Sequence, residues 1–86
     1  MQQPHIQLLS RHRCGLCEEA QAVVEAVAAE GLCSWEKVDV DRDKGLLVRY
    51  GNDVPVLLLN GHELCRHRVS EAGLKASLTA QAAGAL

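Results

Sequence analysis

The chain contains no phenylalanine, and its 86 residues include one tryptophan and one tyrosine. Its core must therefore be aliphatic, filled by valine, leucine and alanine. A basic excess is missing too. Lysine and arginine number 9 against 11 aspartates and glutamates, for a net charge of −2 and a pI near 6.0. Neutralising phosphates takes clustered cations, so nucleic acid is excluded as a main partner. No apolar run approaches the roughly 18 residues a membrane span requires. The opening "MQQPHIQLLS" lacks a charged start followed by a long apolar region, and so does not read as a secretory signal. The expectation is a cytoplasmic protein with no membrane partner. In that reducing compartment cysteines serve as free thiols, catalytic groups or metal ligands rather than as structural disulfides.

Repeats, linkers and long charge blocks are also absent. The chain reads as one domain over residues 1–86, working as a monomer, with 80–86 expected to fray. "HIQLLS" is a short apolar run that suits a buried strand. "CEEAQAVVEAVAAEG" places Ala20, Val23, Val24, Val27 and Ala28 at helical spacing and ends on Gly31. "CSWEKVDVD" alternates as a strand, expected to run parallel to the first after a helical crossover. "DRDKGLLVRYG" opens on capping aspartates and closes at Gly51, as a short helix does. "VPVLLLNGHELCRHRV" reads as two strands joined by Asn60-Gly61, a pair suited to a type I′ turn because both positions need positive φ. The last helix has Ser70 as N-cap, with Val69 and Leu74 placed as a hydrophobic staple. The order is β-α-β-α-β-β-α. An α/β sandwich satisfies it, with a four-stranded mixed sheet carrying helices on both faces.

The chemistry is concentrated in "SRHRCGLCEEA". Cys14 and Cys17 fall between the first strand and the first helix. A helix N-terminus presents free N–H groups and the positive end of the macrodipole, and both favour a thiolate. Arg13 adjoins Cys14, with Arg11 and His12 close by, and positive neighbours act in the same direction. Cys14, at the helix mouth, is the candidate nucleophile. Cys17, a turn further along on the same face, is the candidate resolving thiol. Arg13 is the candidate substrate contact in this loop. The competing reading is half of a zinc site, but Cys33 and Cys65 stand alone and supply no second close pair, so no metal ligand is assigned. Cys33, Cys65 and Trp35 read as packing residues, His62 as a turn residue and His67 as a strand-face side chain.

Together, "CGLCEEA", "VDVDRD", "YGNDVPVLLLNG" and "ELC" resemble the small bacterial glutaredoxin-like proteins of the thioredoxin superfamily, from about residue 5 to 79. The resemblance implies a thioredoxin/glutaredoxin-like fold and a thiol–disulfide oxidoreductase using a Cys14/Cys17 couple on protein or low-molecular-weight disulfides. It implies that Pro55 is cis and that Val54 offers its backbone to an extended substrate. No resident cofactor is implied; glutathione is a candidate co-substrate. The chain departs from glutaredoxins in its Cys-Gly-Leu-Cys sequence and in having "RHRVSE" where they carry the Gly-Gly pair that holds glutathione. Ser70 and the last helix N-terminus, helped by Arg66 or Arg68, are the remaining candidates for a carboxylate there. The alternative function is a non-catalytic module, redox-responsive or binding a metal or iron–sulfur cluster.

Overall fold

The apolar residues alternate along the strands in a way that demands cover on both sides. Ile6 and Leu8 point to one side of the first strand and Leu9 to the other, and all three are buried. Val56–Leu59 is buried at every position, the mark of a strand with both faces covered. The computed structural model, which describes residues 3–84 and side chains through residue 80, supplies that cover. Its elements are β1 (His5–Ser10), α1 (Gly15–Ala29), β2 (Ser34–Asp39), a 3₁₀ turn (Val40–Arg42), α2 (Lys44–Tyr50), β3 (Val56–Leu59), β4 (His62–Arg66) and α3 (Glu71–Gly84). The sheet order is β2-β1-β3-β4. β1 runs parallel to β2 and antiparallel to β3, and β3 antiparallel to β4. This is the expected mixed thioredoxin-like sheet.

Two aliphatic clusters fill the two sides. Ile6, Leu8, Leu57 and Leu59 pack against Ala20, Val24 and Val27 of α1 and Leu74 and Leu78 of α3. Leu9, Val56 and Leu58 pack against Val40 and Tyr50, with Leu46 and Leu47 of α2 beside them. Trp35 and Val69 lie against the first cluster, as packing residues. Asn60 (φ 49°) and Gly61 (φ 88°) both take positive φ, as a type I′ turn requires. Ser70 caps α3: its Oγ accepts from the Gly73 amide at 3.0 Å. Gly51 closes α2 for a different reason. Its φ is ordinary, but a Cβ there would sit 2.5 Å from the Leu47 carbonyl oxygen.

α3 is helical through Gly84, across much of the stretch expected to fray from 80, and residues 85–86 lie outside those described. Two local expectations shift. His62 begins β4 instead of belonging to the turn. His67 lies just past β4 at φ 69° rather than on a strand face. The register of β3 on β4 also slips between Leu57 and Leu58, which brings Cys65 opposite Leu57, a position that strict alternation along β4 does not give.

Leu8 has no exposed surface and sits at the centre of the larger cluster. Leu8→Ala should lower unfolding stability by about 2–5 kcal/mol in a denaturant titration. Val48, 87% exposed on α2, should tolerate the same truncation within about 0.5 kcal/mol.

Candidate functional site

β1 ends at Ser10, and the chain must turn sharply to lay α1 back over the sheet. Arg13 makes that turn in the left-handed region (φ 54°), which non-glycine residues enter at a cost. The turn leaves Cys14 extended (φ −114°, ψ 101°) as the N-cap of α1. Its sulfur does the work usually given to a serine or aspartate oxygen: Sγ accepts from the Cys17 amide at 3.1 Å, while the Cys14 carbonyl accepts from the Glu18 amide at 3.2 Å. Cys14 and Cys17 are joined in a disulfide, their Cα atoms 5.1 Å apart. Cys14 is half-buried and Cys17 is 4% exposed. Cys14 thus keeps part of its surface open to solvent, while Cys17 keeps almost none.

The cations around the pair divide into bound and free. Arg11 is held by the Asp41 carboxylate at 3.0 Å and donates to the Gly51 carbonyl at 3.2 Å. His12 lies 3.7 Å from Asp39. Arg13 is exposed and, among the described residues, makes no ion pair. The cluster of three positive neighbours expected from the sequence therefore reduces to Arg13 as the unmatched charge.

Pro55 is buried and follows a cis peptide bond from Val54, as expected. Val54 is half-buried against the α2-side cluster. Neither its amide nor its carbonyl enters a turn or loop backbone hydrogen bond among the described residues, whereas the Pro55 carbonyl accepts from His67 at 2.8 Å. The segment is tied down from its other side. Asp53 takes Arg66 at 3.0 Å and His67 at 3.2 Å. Arg66 also grips Glu63 through two hydrogen bonds, of 2.7 and 2.6 Å. That grip holds the Glu63 carboxyl below the usual carboxylate range and keeps Arg66 fully charged. Arg66, offered by the sequence as an anion ligand, is thus spent on these two carboxylates. Arg68 is exposed instead. With Leu16, Glu19, His67 and Ser70 it lines a cavity of about 370 Å³ between α1 and the start of α3. The Ser70 hydroxyl in that wall already serves as the helix cap.

A second, smaller cleft of about 130 Å³ opens directly on the disulfide. Cys14 and Cys17 line it together with Arg13 and with Lys37 of β2. The sequence reading missed Lys37. A signal was there: Trp35, Lys37 and Asp39 alternate onto one face of β2, the face on which Trp35 packs beneath α1. Asp53 was missed because its partners lie thirteen and fourteen residues away, beyond any local pattern.

Cys33 is buried in the α1-side core and Cys65 half-buried beside it. Burial pushes both thiols up, and Glu63 adds to the effect at Cys65. Among the described residues no three His, Cys, Asp or Glu side chains gather where one metal ion would fit. No described helix is long and apolar enough to cross a membrane.

Residues 5–79 match the family described as "Glutaredoxin-like domain (DUF836)". Uncharacterized proteins of Mycobacterium bovis and Mycobacterium tuberculosis are each 29% identical over 83 residues, covering 91% of this chain and 86% of theirs. Among solved structures, a structural-genomics target protein from X. campestris is 34% identical with a TM-score of 0.69, over 87% of this chain and 96% of that one. A mutant thioredoxin from Halobacterium salinarum is 26% identical with a TM-score of 0.70, over 92% of this chain and 74% of that one.

A thiol with a raised pKa stays protonated at neutral pH, and the protonated form is a poor nucleophile. In the oxidised protein, iodoacetamide at pH 7 should therefore label Cys33 and Cys65 far more slowly than in the unfolded chain. Labelling of Cys65 should climb only as pH passes the ordinary cysteine value near 9.0. Mass spectrometry of the alkylated peptides checks both expectations.

Proposed function

The chain belongs to the glutaredoxin-like domain family (DUF836), and from that premise we propose that it is a thiol–disulfide oxidoreductase acting through the Cys14–Cys17 couple. One observation carries the reading: Cys14 is the sulfur N-cap of α1, partly open to solvent, with Cys17 buried behind it. In the dithiol form the same Cys17 N–H and the helix dipole favour a thiolate at Cys14. Cys17 keeps almost none of its surface open, so an outside disulfide meets Cys14 first. The two thiols are thereby given different tasks by position alone.

The reaction is two exchanges. The Cys14 thiolate attacks a substrate disulfide RSSR′; its S–S bond breaks, a Cys14–S–S–R bond forms and R′S⁻ leaves. Cys17 loses its proton to solvent and attacks the Cys14 sulfur. The Cys14–Cys17 bond forms and RS⁻ leaves. The substrate gains two electrons and the couple loses two, which a small thiol such as glutathione or a reductase returns. An extended substrate pairs with the free amide and carbonyl of Val54. The cavity between Leu16 and Ser70 has room for the rest of a small thiol, with Arg68 as its cation. In this reading the protein works as a monomer in the cytoplasm, on protein or low-molecular-weight disulfides, without a resident cofactor.

Cys14→Ser should abolish disulfide reduction. Cys17→Ser should keep the first exchange and stall, trapping a mixed disulfide whose mass is the protein plus one substrate half. Titration in glutathione buffers, read by the mass of alkylated thiols, gives reversibility, potential and any glutathione adduct together. A Cys14→Ser protein with full reductase activity would overturn the assignment.

A further inference from the structure

The two openings beside the active helix differ in what they can offer a substrate. The larger cavity touches the couple through Leu16 and neither sulfur lines it. Both cysteines line the smaller cleft. The groups that form the cleft carry an unbalanced charge. Arg11 and His12 belong to its wall but face Asp41 and Asp39. Glu18, exposed on the first turn of α1, is the one carboxylate of the lining. Against it stand Arg13 and Lys37, both exposed and, among the described residues, without an ion-pair partner. Lys37 is paired in register with Leu8, on the α1 face of an edge strand, and so joins the cleft from the β2 side of β1, across from β3 and the Val54 segment that leads into it. A substrate drawn to Cys14 from this side enters a cleft walled by both cations.

We propose that the Arg13–Lys37 cleft selects disulfides that carry carboxylates beside the sulfur, anionic disulfides in preference to neutral or cationic ones. This deepens the oxidoreductase reading and rests on it. The chemistry is the two exchanges given above. The cleft adds attraction for the anionic substrate as it meets the Cys14 thiolate, which would otherwise repel it. Lys37 is a specificity residue in this scheme: whatever its charge does to the sulfur is common to every substrate and cancels in a ratio of rates, whereas its attraction for a carboxylate does not.

The test uses three small disulfides that differ chiefly in charge: dithiodipropionate (two carboxylates), hydroxyethyl disulfide (neutral) and cystamine (two ammonium groups). Oxidation of the reduced full chain is followed at low salt, for wild type, Lys37→Ala, Lys37→Glu and Lys75→Ala. Lys75, bound to Glu30 at 2.7 Å, is a cation remote from the couple and serves as the control. Each substrate is compared with itself across variants, so differences in leaving-group pKa cancel. The dianion-to-neutral rate ratio should fall about threefold in Lys37→Ala and about tenfold in Lys37→Glu, and the cystamine-to-neutral ratio should rise. Lys75→Ala should leave both ratios in place, and about 1 M salt should erase the differences. If neutral disulfide is reduced but the ratios do not respond to Lys37, the inference is overturned and the oxidoreductase reading stands. If no disulfide oxidises Cys14 in any variant, both fall together.

Discussion

A helix that starts against a sheet must satisfy its first amide groups, and here a sulfur does it. The Cys17 N–H that would otherwise be orphaned at the start of α1 points at Cys14 Sγ. This single contact joins fold and chemistry. It ends the loop after β1, sets the entry of α1 onto Ile6 and Leu8, and directs a backbone donor at the atom on which thiol exchange would turn. A serine there would cap as well but could not exchange. The cap also explains the unequal exposure of the pair. An N-cap residue lies outside the helix barrel, and its neighbour three positions on falls on the face that α1 buries with Ala20 and Val24.

Much of this was legible in the sequence because it depends on short-range pattern. Helical spacing from Ala20 to Ala28 and the small residues around it placed α1. Asn60-Gly61 placed the hairpin, and Ser70 placed the start of α3. The burial of β1 followed from its short apolar run, and β3, apolar at every position, is the kind of strand that lies covered on both faces. The cis bond before Pro55 was legible only through the family resemblance, and local residues gave no sign of it.

What stayed hidden was long-range polar pairing. Nothing near Arg11 in the chain announces Asp41 or the Gly51 carbonyl, and nothing near Arg66 announces Asp53. Charges on flexible stems have many partners open to them, and the fold decides among them. The sequence therefore overcounted the cations available at the site. It had Arg11, His12, Arg66 and Arg68 on offer, and the structure leaves Arg68 without a carboxylate among the described residues, beside Arg13 and the unanticipated Lys37. The slip in register at Leu57/Leu58 belongs to the same class, since pairing of β4 with β3 is a property of two strands and not of either alone.

These pairings also share a place. The turn after β1 (Arg11) is bound to the turn after β2 (Asp41) and to the α2–β3 connection (Gly51). That connection, through Asp53 and Pro55, is bound to the end of β4 (Arg66) and to the β4–α3 connection (His67). All four connections leave the same end of the sheet, because β1 and β2 finish there and β3, running the other way, begins there. Exposed ion pairs of this kind contribute little to stability individually. Their consequence is geometric. Four connections that the sheet does not itself join are linked in series at the end of the sheet where the cysteine pair lies. An N-cap sulfur fixes where the reactive atom is; the series of loop-to-loop contacts fixes how the connections at that end of the sheet stand to one another.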